Sequence, residues 1–431
     1  MGLDASKNGI SQMADYLKDK VGVDSVHILS HGGDGYLLLG NTLLSSHNID
    51  DYQAKLAQIN KAIAPGGDIF LYGCDVARSD VGVDFVNQLS RFTGADVAAS
   101  TNDTGVSGDW VLEYRSGEIS QPSLSASNYQ FDLATIKVTN LNDSGAGSLR
   151  AAIASATGNA ATDTIVFDPA LFASGAATIT LTSGALNVHG DGDLDAFTIV
   201  GPGENLLTIS GNNASQIFKA DYFISPAVGT SGQPGYVSAV YAANTSSLTL
   251  SGMTLTNGTS AGARDTTGGG AIVSYYSGSL TLDHVVVKNS TSGGGGGGLL
   301  FSGNNGNLII GNSTFDGNST TASGANGNGG GIAAFAQSHS IVISNSTISN
   351  NTNTSGFYGG GASLGGTGGT VSITNTTIAG NSAGGGAVAA GGGGGILIQS
   401  PSIAITNSTI VNNSWNGGSA PNNGGGGLSL F

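Results

Sequence analysis

The N-terminal part of the chain alternates between short apolar runs and segments with apolar residues at helical spacing. Four apolar runs predict strands: 25–30, 69–72, 96–100 and 110–114. Three segments with helical spacing predict helices: 10–21, 49–63 and about 81–92. This alternation is typical of an α/β domain built on parallel strands, and we assign it to residues 1–119.

The pattern changes near residue 120. Residues 120–134 are a Ser-rich linker, and residues 135–240 carry further short strands and one amphipathic helix. Across residues 241–431 one apolar position recurs at intervals of 28 to 33 residues: Leu255, Val287, Phe315, Ile348, Ile378 and Ile410. A fixed period in this range indicates a solenoid. Because each period holds short strands and no helical pattern, we predict that each is one coil of an all-β parallel β-helix.

Asparagine and glycine accompany the repeat. An asparagine follows the recurring apolar position in each coil: Asn257, Asn289, Asn318, Asn350, Asn381 and Asn412. Stacked coils would place these residues in a ladder of side-chain amides, at turns where Asn tolerates a left-handed backbone. The 73 glycines supply residues for tight turns with positive φ.

Composition limits the partners. Only 10% of residues are charged and the net charge is −15, which argues against nucleic acid and anionic membranes, because both attract Lys and Arg. No apolar run approaches the ~20 residues of a membrane span, so no membrane insertion is predicted. The single cysteine excludes an internal disulfide, and no cofactor is predicted.

The candidate chemistry lies where two predicted strands end. His31 follows the strand at 25–30, and Cys74 follows the strand at 69–72. If these strands are parallel neighbours, an imidazole meets a thiol at one sheet edge, which is the arrangement that a cysteine nucleophile needs. The N–H groups of Gly32 and Cys74 could form an oxyanion hole. The alternative is that Cys74 is a small buried hydrophobe and His31 an ordinary polar side chain.

Four segments carry a family resemblance: residues 26–33, 71–77, 93–101 and 108–113. They resemble the His-Gly and Cys motifs of caspase-like (caspase–gingipain–legumain) cysteine peptidases. The closest likeness is to the uncharacterised caspase-like domain near the start of giant bacterial surface proteins. The resemblance implies a caspase-like α/β fold with a His31/Cys74 dyad. Related domains usually begin with a further strand and helix, so we expect these to be missing here and one sheet edge to be exposed.

A second resemblance begins after the linker. Residues 136–153, 201–203 and 207–213 resemble the N-terminal cap of bacterial right-handed parallel β-helix proteins, with Gly147 where a Cys often begins the cap helix. The repeats resemble pectate lyases in predicted shape. Because the sequence ends within a coil and a solenoid needs a terminal cap, we expect a longer protein.

The repeats offer little for catalysis. Residues 241–431 contain three carboxylates, Asp265, Asp283 and Asp316, no Glu, and no two carboxylates at the same place in successive coils. Paired acids for glycoside hydrolysis and a calcium cluster are therefore not expected. Residues 191–195 begin like a calcium loop but lack the Gly and Glu that complete one, so we predict a solvated turn at Asp191–Asp195 and no metal.

These observations predict the N-terminal part of a large exported bacterial surface protein that acts in adhesion or as a scaffold. The expected partners are a peptide, including the chain itself, and a host or neighbouring-cell surface or glycan. Asp75 and Asp103 either favour a basic residue before the cut or serve as ordinary loop carboxylates. Two alternatives stay open: a secreted carbohydrate-active enzyme, and a caspase-like domain kept as an inactive binding module.

Overall fold

The computed structural model describes most of the chain, in eighteen ranges. They are residues 1–4, 7–40, 42–46, 48–105, 108–125, 135–156, 163–188, 197–221, 247–261, 268–275, 278–303, 306–321, 328–336, 339–354, 358–366, 368–384, 392–416 and 425–430. The chain divides into two compact units. The first comprises residues 1–137, 164–174 and 200–203, and the second comprises residues 138–163, 175–199 and 204–431.

The N-terminal region is a mixed α/β structure. Its helices are α1 (Gly9–Leu17), α2 (Gln53–Ala62, preceded by a 3-10 turn at Ile49–Tyr52) and α3 (Asp80–Thr93). Its strands are β1 (Val23–Ile28), β2 (Gly32–Gly33), β3 (Tyr36–Leu39), β4 (Thr42–Ser45), β5 (Ile63–Leu71), β6 (Asp96–Ala99) and β7 (Tyr114–Arg115). All three predicted helices are confirmed, each with bounds that differ by a few residues.

The main sheet has the strand order β1-β5-β6-β7. Strands β1, β5 and β6 are parallel, as the strand–helix alternation predicts. The strand predicted at 110–114 is shorter and lies further along the chain, because only Tyr114–Arg115 pairs with the sheet. β7 is only two residues long and runs antiparallel to β6, because no helical crossover separates them. Within the described residues β1 is an outer strand of this sheet.

Alternation along the strands gives the sheet two different faces. Ile69, Leu71 and Val97 belong to the large core that includes Phe85 and Leu89 of α3. The residues between them point to the other face, where Phe70, Tyr72, Ala98, Leu112 and Cys74 form a smaller cluster. Because side chains alternate with a period of two, Cys74 belongs to the face opposite the helices.

The rest of the described chain forms a parallel β-solenoid of three sheets. The longest sheet contains fifteen strands: Ile136–Val138, Asp163–Phe167, Ala177–Thr180, Phe197–Val200, Leu207–Ser210, Leu248–Thr256, Leu280–Lys288, Leu308–Gly311, Thr314–Asp316, Ile341–Ser344, Thr347–Ser349, Thr370–Thr374, Thr377–Ala379, Ser402–Thr406 and Thr409–Val411. The second contains eight: Leu186–Asn187, Phe218–Asp221, Ile272–Tyr275, Leu299–Gly303, Ile332–Ala336, Ala362–Gly365, Ile396–Gln399 and Leu428–Leu430. The third contains six: Thr259–Ser260, Thr291–Ser292, Ser319–Thr320, Thr352–Asn353, Ser382–Ala383 and Ser414–Trp415.

The recurring apolar position forms one continuous stack. Leu255 pairs with Val287, Val287 with Phe315, and the series continues through Ile348, Ile378 and Ile410. Those from Leu255 to Ile378 are completely buried. Each predicted repeat is therefore one coil of the solenoid. The eight-stranded sheet takes one strand from each coil, which gives about eight coils.

The structure has two adjacent columns of asparagine where the sequence predicted a single ladder. Asn257, Asn289, Asn350 and Asn412 occupy the left-handed backbone region, with φ between 53° and 55°. In two coils the same place is taken by glycine, Gly317 and Gly380, with φ of 64° and 68°. The prediction placed Asn318 and Asn381 in this same column, and that is wrong. These two residues lie one position later in their coils and are fully buried.

The second column is the one that hydrogen-bonds along the axis. The backbone N–H of Asn318 donates to Oδ1 of Asn351 at 2.9 Å, and the N–H of Asn351 donates to Oδ1 of Asn381 at 2.9 Å. Each side-chain N–H₂ donates to a backbone carbonyl one coil back, as Asn351 does to Phe315 at 2.9 Å. Asn413 continues the column beyond Asn381. This buried column satisfies backbone groups at the bend of each coil.

The cap of the solenoid is held by an ion pair. The cap helix α4 (Leu149–Ala156) begins with Arg150 in its first turn, and Arg150 Nη2 lies 2.7 Å from Asp143 Oδ1. The other carboxylate oxygen accepts from Ser183 N–H at 2.7 Å and from Thr182 Oγ1 at 3.1 Å. Burial would raise the pKa of Asp143, but hydrogen bonds from Ser183, Arg150 and Thr182 outweigh it and hold the pKa well below its usual range.

Removing the Asp143 charge should destabilise the cap. We expect Asp143→Asn to cost about 3 kcal/mol of unfolding free energy, because the half-buried Arg150 then keeps only carbonyl acceptors and loses its anionic partner. Urea unfolding followed by circular dichroism, with hydrogen exchange to locate the loss, measures this cost.

The stability difference between the wild type and Asp143→Asn should also depend on pH, in a direction that the pKa shift defines. The folded pKa of Asp143 is depressed, so its stabilisation is present above the unfolded pKa of about 3.9 and is lost as the pH falls. The difference between wild type and Asp143→Asn should therefore shrink below pH 4. Asp19→Asn, at an exposed position, is the charge-matched control. Equal stability of the two variants at pH 7 would contradict the role of the ion pair.

The two asparagine columns should respond differently to substitution. Asn351→Ala removes the acceptor of the Asn318 N–H and the donor to the Phe315 carbonyl, leaving buried polar groups unpaired at a cost of about 2–4 kcal/mol. Asn289→Gly keeps an exposed left-handed position that glycine already fills in two other coils, so its effect should stay within about 0.5 kcal/mol. Thermal unfolding of both variants measures the contrast, and equal losses would show that the columns are equivalent.

Candidate active site

The ends of β1 and β5 lie side by side, as the sequence predicts. Ile28 pairs with Leu71, and the N–H of Tyr72 donates to the Ile28 carbonyl at 2.9 Å. Since the strands are parallel, the segments that follow them leave the sheet at the same edge. His31 and Cys74 each stand three residues beyond the paired residues Ile28 and Leu71.

Two glycines bring these segments into contact. A Cβ built on Gly32 would lie 2.9 Å from Gly73 Cα, and a Cβ built on Gly73 would lie 3.0 Å from Gly32 Cα. Each would also lie 2.9 Å from Val76 Cγ2. Any larger residue would push the two backbones apart. The structure thus places the backbone beside His31 against the backbone beside Cys74.

The Cys74 thiol is buried and hydrogen-bonded on both sides. Its side chain belongs to the cluster of Phe70, Tyr72 and Leu112, and the residue is 3% exposed. Thr104 N–H donates to Sγ at 3.2 Å, and the thiol donates to the Thr104 carbonyl at 3.4 Å. In this arrangement one residue supplies both a donor and an acceptor to the Cys74 sulfur.

His31 has an unsatisfied ring nitrogen. The residue is half-buried, and its Nδ1 is buried without a hydrogen-bond partner among the described residues. Its carbonyl accepts from Leu38 N–H at 2.9 Å, which fixes the backbone. Buried polar atoms are nearly always paired, so this unpaired nitrogen needs an explanation, and a catalytic role is one such explanation.

The neighbouring histidine has a different environment. His27 Nδ1 and Nε2 lie 3.1 Å from the hydroxyls of Tyr72 and Ser25, and its ring stacks on Phe70 with centroids 4.4 Å apart. Burial lowers the pKa of His27. Because both ring nitrogens are hydrogen-bonded and the ring is stacked, His27 stabilises the face of the sheet and is not part of the candidate site at the strand ends.

Three residues near this edge escape the sequence analysis. Thr104 contacts the thiol only through its backbone, so no side-chain pattern reveals it. The Glu113 carboxylate accepts hydrogen bonds from the Thr101 N–H at 2.8 Å and from the Thr101 hydroxyl at 3.2 Å. Tyr36 is fully buried, and burial raises its pKa to about 12, against a hydrogen bond with Thr135 that lowers it. Tyr36 begins the apolar run of strand β3, so the sequence presents it as an ordinary core residue.

The predicted specificity carboxylates are placed as follows. Asp75 directly follows Cys74 with φ of 57° and forms an ion pair of 3.1 Å with Arg78. Its carboxylate thus has a cationic partner within the same loop. Asp103 is exposed and its carbonyl accepts from Asp109 N–H at 3.1 Å.

A cavity of about 680 Å³ lies further along the sheet face. Its lining residues include Phe70, Trp110 and Arg115 but neither His31 nor Cys74.

In the repeats, Asp283 and Asp316 each accept hydrogen bonds from the next coil. Asp283 receives hydrogen bonds at 2.7 Å from Asn312 and from His284 Nδ1. This bond raises the pKa of His284 despite its partial burial, and Glu204 contributes to the same shift. Asp316 receives hydrogen bonds from Ser349 and Asn350 in the next coil, both at 2.7 Å.

No metal-binding cluster occurs among the residues that the structure describes. The calcium-like segment Asp191–Asp195 and Asp265 lie outside those residues. Likewise, no helix in the described ranges is long and apolar enough to cross a bilayer.

Comparison with known proteins gives two family matches. Residues 1–133 match the model described as a domain of unknown function, DUF4347, and residues 238–430 match the model described as a right-handed β-helix region. No curated protein and no solved structure matches the chain. The chain therefore carries an N-terminal DUF4347 domain followed by a right-handed β-helix region.

Proposed function

We propose that the N-terminal region is a caspase-like cysteine peptidase in which Cys74 is the nucleophile and His31 the general base. The observation that carries this proposal is the backbone contact between Gly32 and Gly73, which holds the His31 and Cys74 segments together. The unpaired Nδ1 of His31 supports it, because a general base needs a nitrogen free to accept a proton.

The proposed reaction follows from these groups. His31 accepts the thiol proton, and the Cys74 thiolate attacks the carbonyl carbon of a peptide bond. The N–H groups of Gly32 and Cys74 donate to the oxyanion that forms. The C–N bond then breaks, His31 returns its proton to the leaving amine, and water hydrolyses the thioester. The tethered chain itself is a favoured substrate, because tethering gives it a high effective concentration.

Peptide cleavage by the full chain tests this proposal. We expect cleavage of a peptide library, read by mass spectrometry, or of the chain itself. Cys74→Ala and His31→Ala should each reduce kcat/KM at least about a thousandfold. The matched control is His284→Asn, because asparagine holds the equivalent left-handed position in later coils, at Asn312 and Asn345.

Two results would contradict a peptidase. One is cleavage that persists in Cys74→Ala, which would point to a contaminating enzyme. The other is the absence of cleavage together with tight binding of an unmodified peptide, which would favour an inactive binding module.

For the solenoid we propose an adhesive or scaffolding role on a bacterial surface protein, outside the cell, with a glycan or cell surface as partner. No Asp, Glu, Lys or Arg follows Asp316 in the sequence. Exposed side chains in these coils, such as Asn375, Thr377 and Asn407, are uncharged hydrogen-bonding groups. Surfaces of this kind suit neutral sugars, whose hydroxyls need donors and acceptors rather than charge.

Glycan binding without turnover is the expected result. The full chain carrying Cys74→Ala should bind neutral glycans on an array, and its affinity should change less than about twofold between 0.1 and 0.5 M salt, because there is little charge to screen. Mass spectrometry of the glycans after incubation provides the control. Release of shorter products would instead support the rival function, a carbohydrate-active enzyme.

A further inference from the structure

Residues 100–105, which we name the cover segment, lie over Cys74. Thr104 is completely buried and holds the thiol through its N–H and carbonyl. The hydroxyls of Ser100 and Thr104 both donate to the carbonyl of Gly73, the latter at 3.4 Å. With Cys74 only 3% exposed, a peptide carbonyl carbon has no access to Sγ while the cover segment is in place.

Main-chain hydrogen bonds attach the cover segment to the loop that follows Cys74. The N–H of Asp75 donates to the Asn102 carbonyl at 2.8 Å, and the N–H of Ala77 donates to the Ser100 carbonyl at 2.9 Å. Asp75 itself has a left-handed backbone, with φ of 57°, a conformation that Asp tolerates better than most non-glycine residues.

Two carboxylates hold the outer edge of the cover segment. Asp109 Oδ2 accepts one hydrogen bond, from Asn102 Nδ2 at 3.3 Å, and Glu113 accepts three. Glu113 Oε2 accepts from the N–H of Thr101 at 2.8 Å and from its hydroxyl at 3.2 Å. Glu113 Oε1 accepts from Asn102 Nδ2 at 3.0 Å. Glu113 is exposed, so these three hydrogen bonds can break without disturbing the core beneath the sheet.

We propose that the cover segment is an occluding element and that Glu113 is the positioning residue that sets how often it opens. The proposal rests on the proposed peptidase function, because it concerns access to the same thiol. In the closed state the Cys74 proton is donated to the Thr104 carbonyl. Opening breaks that hydrogen bond, so the proton can pass to His31 and the resulting thiolate can reach a substrate.

Alkylation of the only cysteine measures opening directly. The full chain is treated with iodoacetamide at pH 7.5, and the single adduct is followed by mass spectrometry. We expect slow alkylation of the wild type and a rise of about tenfold in Glu113→Ala, which loses all three hydrogen bonds to the carboxylate. Glu113→Gln keeps one acceptor oxygen and should lie between them. Glu118→Gln, at a nearby exposed position, is the charge-matched control and should react like the wild type.

A second measurement separates local opening from unfolding. If the cover segment opens alone, the alkylation rate in low urea should rise much less steeply than the fraction of unfolded protein, because little surface is exposed. A rate that follows global unfolding in every variant would overturn the proposal. So would equal alkylation rates in the wild type and in Glu113→Ala.

The outcomes also distinguish this proposal from the peptidase proposal. Alkylation that depends on Glu113, in a protein that cleaves no peptide, supports the occluding element and contradicts the peptidase. Cleavage that depends on Cys74, with alkylation that ignores Glu113, supports the peptidase and contradicts the occluding element.

Discussion

Parallel strand pairing in a fixed register is the constraint on which the rest of this structure depends. In the N-terminal region it makes β1 and β5 end together, so two residues that are 43 positions apart, His31 and Cys74, follow paired strand ends. In the solenoid the same pairing converts a repeat of about thirty residues into stacks of identical environments. A shift of one residue in either place would move every side chain to the opposite face.

The solenoid shows how the register survives coils of unequal length. The distance between equivalent apolar residues varies from 28 to 33, yet the paired strands stay aligned through every described coil. The bend after the stack is fixed by a left-handed Asn or Gly and by a buried polar residue next to it. Because the bend has the same geometry from coil to coil, the differences in coil length arise in the segments between the strands.

The sequence predicted the fold well because the patterns that decide it are local or periodic. The apolar stack, the three helices and the adjoining ends of β1 and β5 all follow from spacing. The antiparallel β7 could not be inferred from Trp110–Tyr114, because strand direction depends on the path of the chain between strands. The different position of Asn318 and Asn381 was missed because asparagine occurs both at the left-handed position and at the buried position next to it. Thr104 was invisible because it contacts Cys74 through its backbone, which every residue possesses.

The buried asparagine column also gives the solenoid a polarity along its axis. Each N–H in this column is satisfied by an amide oxygen from the following coil, as Asn318 is by Asn351 and Asn351 by Asn381. The side-chain N–H₂ of each asparagine is satisfied in the opposite direction, as Asn351 donates to the Phe315 carbonyl of the preceding coil. A coil at either end of such a stack therefore has a donor that only a further coil or water can satisfy.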